Sequence, residues 1–213
     1  MAVFEELSDA VHDGNADLVE SLIGQAFEED IPAQDILDKG LLDGMNKLGV
    51  KFKNNEVFVP EVLIAARALN RGTTLLKAKL VEEGVKPLGK VVIATVAGDL
   101  HDIGKNLVKL MLEGAGFAVV DLGVDVSPEK IVDAVKEHEP DILALSALLT
   151  TTMAQQGNVL QALRDAGLRN DVKVLVGGAP VTEDFADKIG ADGYTADAAS
   201  AAEAAKSFMQ EAV

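Results

Sequence analysis

The 213-residue chain contains no cysteine and no tryptophan, and aromatic residues make up only 4% of it. The first absence excludes disulfides, thiolate metal sites, iron–sulfur clusters and cysteine nucleophiles together, and it fits a reducing cytoplasm. The shortage of aromatics leaves few stacking platforms for nucleic-acid bases. Basic residues are scarce too: 19 Lys and Arg stand against 35 Asp and Glu, a formal net charge of −16. With no local basic patch, that balance repels phosphate backbones and anionic lipid surfaces, so neither nucleic acid nor a membrane is an expected partner. No apolar run approaches the roughly 20 residues that span a bilayer. The start, "MAVFEELSDA", lacks the basic and apolar regions of a signal peptide, and the expected location is the cytoplasm.

What is present falls into two halves. Over the first 80 or so positions apolar residues recur at helical spacing: Leu18, Val19, Leu22, Ile23 and Phe27, then Leu37, Leu41, Met45 and Leu48. Asn15 is a candidate N-cap, and Pro32 and Pro60 suit a first helical turn, where the missing N–H costs nothing. The spacing predicts four helices, near 3–12, 15–28, 32–49 and 60–83, forming a bundle. "EEGVKPLGK" then interrupts the pattern with Gly84, Pro87 and Gly89. The expected division is a helical domain over 1–83, a linker over 84–89 and a second domain over 90–213.

In that second stretch short apolar runs at 90–96, 117–122, 141–146, 172–177 and 193–196 alternate with helical segments near 103–114, 128–138, 153–166, 182–189 and 197–212. Runs that are apolar throughout indicate parallel strands covered on both faces. The expected fold class is therefore α plus α/β: a four-helix bundle followed by a doubly wound, Rossmann-like, five-stranded parallel sheet of flavodoxin type. Ligands of such sheets bind beyond the carboxyl ends of the strands.

The first strand ends in Gly98-Asp99-Leu100-His101-Asp102-Ile103-Gly104-Lys105-Asn106. The glycines are too far apart for a dinucleotide fingerprint, and a phosphate-binding loop would need one residue fewer and a hydroxyl after the lysine. A phosphoacceptor domain would need an Asp ending the third strand, where Ser146 stands. What remains is a histidine with a carboxylate two residues before it, the pairing that fixes the tautomer of a metal-ligating imidazole. The alternative is that Asp99 caps the next helix and His101 is an ordinary loop residue. His12 and His138 lie in polar helical contexts and read as solvated. A metal with one protein ligand must bring the others with it, as a macrocycle does. The remaining strand ends are small and polar: Ser146, Thr150, Thr151 and Thr152, then Gly177 and Gly178, then Ala198. They either leave a slot for a ligand's tail or make tight turns.

"GDLHDIGKN" resembles the Asp-x-His-x-x-Gly motif of cobalamin-binding domains, followed by the Ser-x-Leu element (Ser146, Leu148) and the Gly-Gly element (Gly177, Gly178). "GVKFKNNEVFVPEVLIAARAL" resembles the cap domain of methionine synthase and of the small corrinoid proteins of methyltransferase systems. The resemblance implies a cobalamin cofactor, present as methylcobalamin in the charged state. His101 is then the cobalt ligand and Asp99 its hydrogen-bond partner, with Gly98, Leu100, Asp102 and Ile103 lining the loop and Gly104 permitting close approach. Ser146, Leu148, Thr150, Gly177, Gly178 and Ala198 match positions that hold the displaced nucleotide tail. Where methionine synthases place a serine behind the aspartate, this chain has Thr152. Phe52, Val59 and Val62 match residues over the cobalt's upper face, although as residues alone they serve equally as bundle core.

The implied function is a methyl carrier between a substrate-specific methyltransferase and a second methyltransferase, served by a reductive activase, with catalysis only alongside partners. The linker would then be a hinge that swings the cap aside. A cobalamin-dependent mutase subunit would not need the helical cap, and a DNA-binding cobalamin sensor would need a basic recognition helix, of which there is no sign.

Overall fold

In the computed structural model, residues 2–211 are described. The chain divides into two compact units, one of Met1–Lys86 with Gly114–Gly116 and the other of Pro87–Glu113 with Phe117–Val213.

The first unit opens with α1 (Ala2–His12) and α2 (Ala16–Glu28). Asn15 caps α2 by accepting the Leu18 N–H at 3.1 Å. A third helical stretch runs without a break through α3 (Ala33–Ile36), a π-helical segment (Leu37–Leu42) and α4 (Asp43–Lys53). The even spacing expected from Leu37 to Leu48 does not hold here. Ile36 and Leu41 are buried, five residues apart, while Leu37 is only half-buried. The wider π turn absorbs the extra residue and returns Met45 and Leu48 to the core. Gly40 lies at this point against Leu7 of α1, where a Cβ would come within 2.4 Å of Leu7 Cδ2. The long α5 (Val59–Glu82) completes the unit, its start fixed by the Phe58 N–H donating to Glu61 Oε2 at 3.2 Å.

The second unit alternates β1 (Lys90–Thr95), α6 (Ile103–Gly114), β2 (Ala118–Asp121), α7 (Pro128–His138), β3 (Ile142–Ser146), α8 (Ala154–Asp165), β4 (Lys173–Gly177), α9 (Glu183–Ile189), β5 (Gly193–Tyr194) and α10 (Ala198–Glu211). All strand pairs are parallel, in the order β2-β1-β3-β4-β5. On one face Val92, Ala94, Leu143, Leu145, Val174 and Val176 pack against apolar residues of α7, α8 and α9. Their neighbours Val91, Ile93, Ile142 and Leu175 point the other way and are equally buried, which is why these strands read as unbroken apolar runs. The chain order reverses between β1 and β3, so the loops after these two strands flank the switch point. Thr95 and Ser146, the last residues of those strands, are in register.

Candidate functional site: a carboxylate-held imidazole at the switch point

Asp99 stands just beyond β1 and is completely buried. Its Oδ1 accepts the His101 main-chain N–H at 3.1 Å and lies 2.7 Å from His101 Nδ1. Its Oδ2 accepts the Leu148 N–H at 2.8 Å and the Thr152 hydroxyl at 2.6 Å. A carboxylate only accepts, so Nδ1 carries a proton, and in the neutral ring Nε2 keeps its lone pair. All four bonds go to His101, Leu148 and Thr152, which sets aside the helix-cap reading of Asp99. Burial alone would raise the carboxyl's pKa. The hydrogen bonds from Thr152, Leu148 and His101 outweigh it and hold the group well below the ordinary carboxylate range.

The His101 side chain is 51% exposed, in contrast to the carboxylate behind it. Around it Leu100 and Ile103 are 72% and 77% exposed, and Leu148 and Leu149 are also exposed. Large apolar side chains around one imidazole form a surface for a flat apolar ring. The first turn of α6 is anchored by Lys105, which is buried and meets both Asp121 oxygens at 2.7 Å. Burial pushes the Asp121 carboxyl up, but the Lys105 ammonium and the Gly123 N–H bring it below its usual value.

Beyond β3 and β4 the chain comes very close to itself. Gly178 has φ +129°, and a Cβ there would lie 1.8 Å from the Ala147 carbonyl oxygen. A Cβ on Gly177 would lie 3.2 Å from the Thr195 oxygen. Ser146 is half-buried, Thr150 is exposed and Ala198 is buried at the start of α10. A Cβ on Gly104 would meet nothing within 4 Å. Gly98 and Asp102 are exposed in the loop. In the helical unit Val62 is fully buried, Phe52 half-buried and Val59 exposed.

Residues 89–205 match the B12 binding domain, and residues 3–77 match a second B12 binding domain model. The dimethylamine corrinoid protein 3 of Methanosarcina acetivorans is 43% identical over 207 residues, 97% of each chain. The chain belongs to the B12-binding corrinoid proteins. Its cofactor is cobalamin. Two solved members are similar along nearly the whole of this corrinoid protein. The methanol:cobalamin methyltransferase complex MtaBC from Methanosarcina barkeri gives a TM-score of 0.88 at 31% identity, covering 98% of this chain and 80% of that one. A cobalamin-binding protein from Desulfitobacterium hafniense gives 0.80 at 34% identity, covering 96% and 98%.

The residues present suit such a cofactor. Among the described residues no group of three or more His, Asp or Glu is placed to hold a metal ion. The loop offers a single oriented imidazole with an apolar surround, which matches a metal that arrives inside a macrocycle. Also among the described residues, no helix is long and apolar enough to cross a membrane.

Sequence reasoning missed Thr95 and Asp125, which bond to the motif loop, and Gln156. The buried Gln156 Nε2 donates to the carbonyls of Leu145 and Gly177, tying the ends of β3 and β4 together. For Thr95 and Gln156 the available signal was a polar residue inside a strand or helix; Asp125, in a loop, offered none. His12 departs from the solvated reading. Its Nδ1 lies 2.8 Å from Asp13 Oδ1 and its Nε2 is buried with no partner.

Proposed function

We propose that this corrinoid protein is the methyl carrier of a methyltransferase system acting on a small methylated substrate such as a methylamine or methanol. Bound here, the cofactor supplies a cobalt centre that accepts a methyl group from one protein and yields it to another. His101 Nε2 would hold the cobalt. Asp99 holds the Nδ1 proton and so keeps the ring in the ligating tautomer, while Thr152 and the Leu148 N–H keep Asp99 itself in place. The bond from Nδ1 to this carboxylate would hold the ring in the same orientation with or without the metal. Ser146, Thr150, Gly177, Gly178 and Ala198 receive the nucleotide tail, and Gly98, Leu100, Asp102, Ile103 and Gly104 face the ring. One partner is the substrate-specific methyltransferase. A second methyltransferase and a reductive activase complete the system.

The buried four-donor Asp99 behind a half-exposed His101 carries this reading. It is tested by incubating the protein with hydroxocobalamin, desalting, and recording the absorption spectrum and the electron paramagnetic resonance of the cobalt(II) form. Retained colour with nitrogen splitting from a protein imidazole is expected, and a colourless protein overturns the reading.

A further inference from the structure

Asp99 restrains the imidazole, but both of its bonds to His101 end on one oxygen, two residues away in the same loop. They fix the ring relative to the carboxylate. They hold the ring and the main-chain N–H but leave the His101 carbonyl unheld, and a ligand to a metal must be held to within about half an ångström. Two further residues supply that restraint. Thr95, the last residue of β1, is fully buried, and its hydroxyl donates to the main-chain carbonyl of His101 at 3.0 Å. Asp125, in the loop after β2, grips the motif from outside. Its Oδ1 accepts the Gly98 N–H at 2.7 Å, and its own N–H donates to the Asp99 carbonyl at 3.0 Å.

These contacts belong to one seam. The Thr95 N–H donates to the Gly123 carbonyl at 3.0 Å, and the Val126 N–H donates to the Thr95 carbonyl at 3.1 Å. Asp125 takes a left-handed backbone, φ +53°, which aspartate tolerates better than most residues. That conformation accompanies its two-way grip, the side chain meeting the Gly98 N–H and the main-chain N–H meeting the Asp99 carbonyl. An exposed aspartate held left-handed at a cost is a sign of a constrained position.

We propose that Thr95 and Asp125 are positioning residues that hold His101 in its ligand pose. The inference rests on the proposed histidine ligation and assigns the geometry of that ligation to residues outside the Asp-x-His-x-x-Gly motif. Neither touches the reacting centre. Thr95 locks the carbonyl of the ligand residue, and Asp125 locks the two residues that precede the loop's apex.

The test uses the full chain loaded with hydroxocobalamin and reduced to cobalt(II). Thr95→Val keeps the shape and removes the hydroxyl, and Asp125→Ala removes the carboxylate at an exposed site where folding is not in question. Each variant is expected to retain cobalamin through the tail slot while the ratio of histidine-bound to histidine-free cobalt(II) falls about tenfold, the usual effect of losing one well-placed hydrogen bond. Thr95→Ser and Asp125→Asn keep the donor and the acceptor and are expected to restore the wild-type ratio. A wild-type nitrogen splitting in both Thr95→Val and Asp125→Ala overturns the inference while leaving the proposed function intact. Should Thr95→Val fail to fold, Asp125→Ala against Asp125→Asn decides alone. A wild-type protein that binds cobalamin without the splitting overturns histidine ligation, and the inference with it.

Discussion

Replacing Gly178 by alanine adds one methyl group at the tightest point of the sheet's carboxyl end. The new Cβ would lie 1.8 Å from the Ala147 oxygen, 2.8 Å from its carbonyl carbon and 3.1 Å from its nitrogen. All three are backbone atoms, so no side chain can rotate away. The relief available is to part the chain beyond β3 from the chain beyond β4, against the Ala147 N–H to Gly177 bond of 3.2 Å and the Gln156 amide that bridges both strands. The glycine's φ of +129° adds backbone strain of about 1–3 kcal/mol for a residue with a Cβ. Overpacking contributes about 1–3 kcal/mol more. A loss of about 4 kcal/mol, at roughly 3 °C per kcal/mol for a chain of this size, lowers Tm by about 12 °C. Gly104→Ala is the control. No atom lies within 4 Å of its Cβ, and it stands in the first turn of α6. The apo protein should be unchanged or up to about 1 kcal/mol more stable, yet hydroxocobalamin should bind more weakly because the methyl intrudes where the ring approaches. Calorimetry of both apo variants and titration with hydroxocobalamin give the comparison. A Gly178→Ala protein that melts within 2 °C of wild type, against the roughly 12 °C expected, refutes the argument from close approach.

Other outcomes follow from the same geometry. His101→Ala should keep corrinoid through the tail slot but lose the nitrogen splitting of its cobalt(II) form, as read by electron paramagnetic resonance. Asp99 and Asp121 both have lowered pKa values in the folded state. Their stabilisation is therefore present above the unfolded value near 4 and is lost as pH falls below it. Asp99→Asn should cost more stability in urea unfolding at pH 7 than at pH 3, and an equal cost at both would contradict the assignment. Lys105→Met leaves Asp121 without its buried partner, and about 3 kcal/mol of destabilisation is expected, lessened by Lys109, whose Nζ is 3.7 Å from Asp121. Chemical denaturation measures it.

The central strands β1, β3 and β4 were legible because they are buried on both faces, so composition alone marks them. β5 is the exception in length: the run expected over 193–196 pairs only at Gly193 and Tyr194. The third helical stretch was legible as helix but not in phase, since a five-residue step between Ile36 and Leu41 looks regular if Leu37 is taken instead. The Asp99–His101 pair is local and stood out on its own. Thr152 is 53 positions from Asp99 and Asp125 is 27 from Gly98, so nothing in local spacing joins them to the loop. Thr152 stood out as a polar strand-end residue, but its place behind Asp99 was reached only through the family resemblance, and Asp125 not at all.

Every acceptor direction of the Asp99 carboxylate, which has no exposed surface of its own, is taken by a donor of the protein itself. Mobile ions therefore have nothing to compete for and no route by which to screen it. The outer surface is the opposite, with a formal charge of −16 whose field extends into the solvent. Ionic strength thus acts on how this protein meets other macromolecules and leaves the buried carboxylate behind the imidazole untouched, so encounter and the imidazole's anchor respond to separate variables.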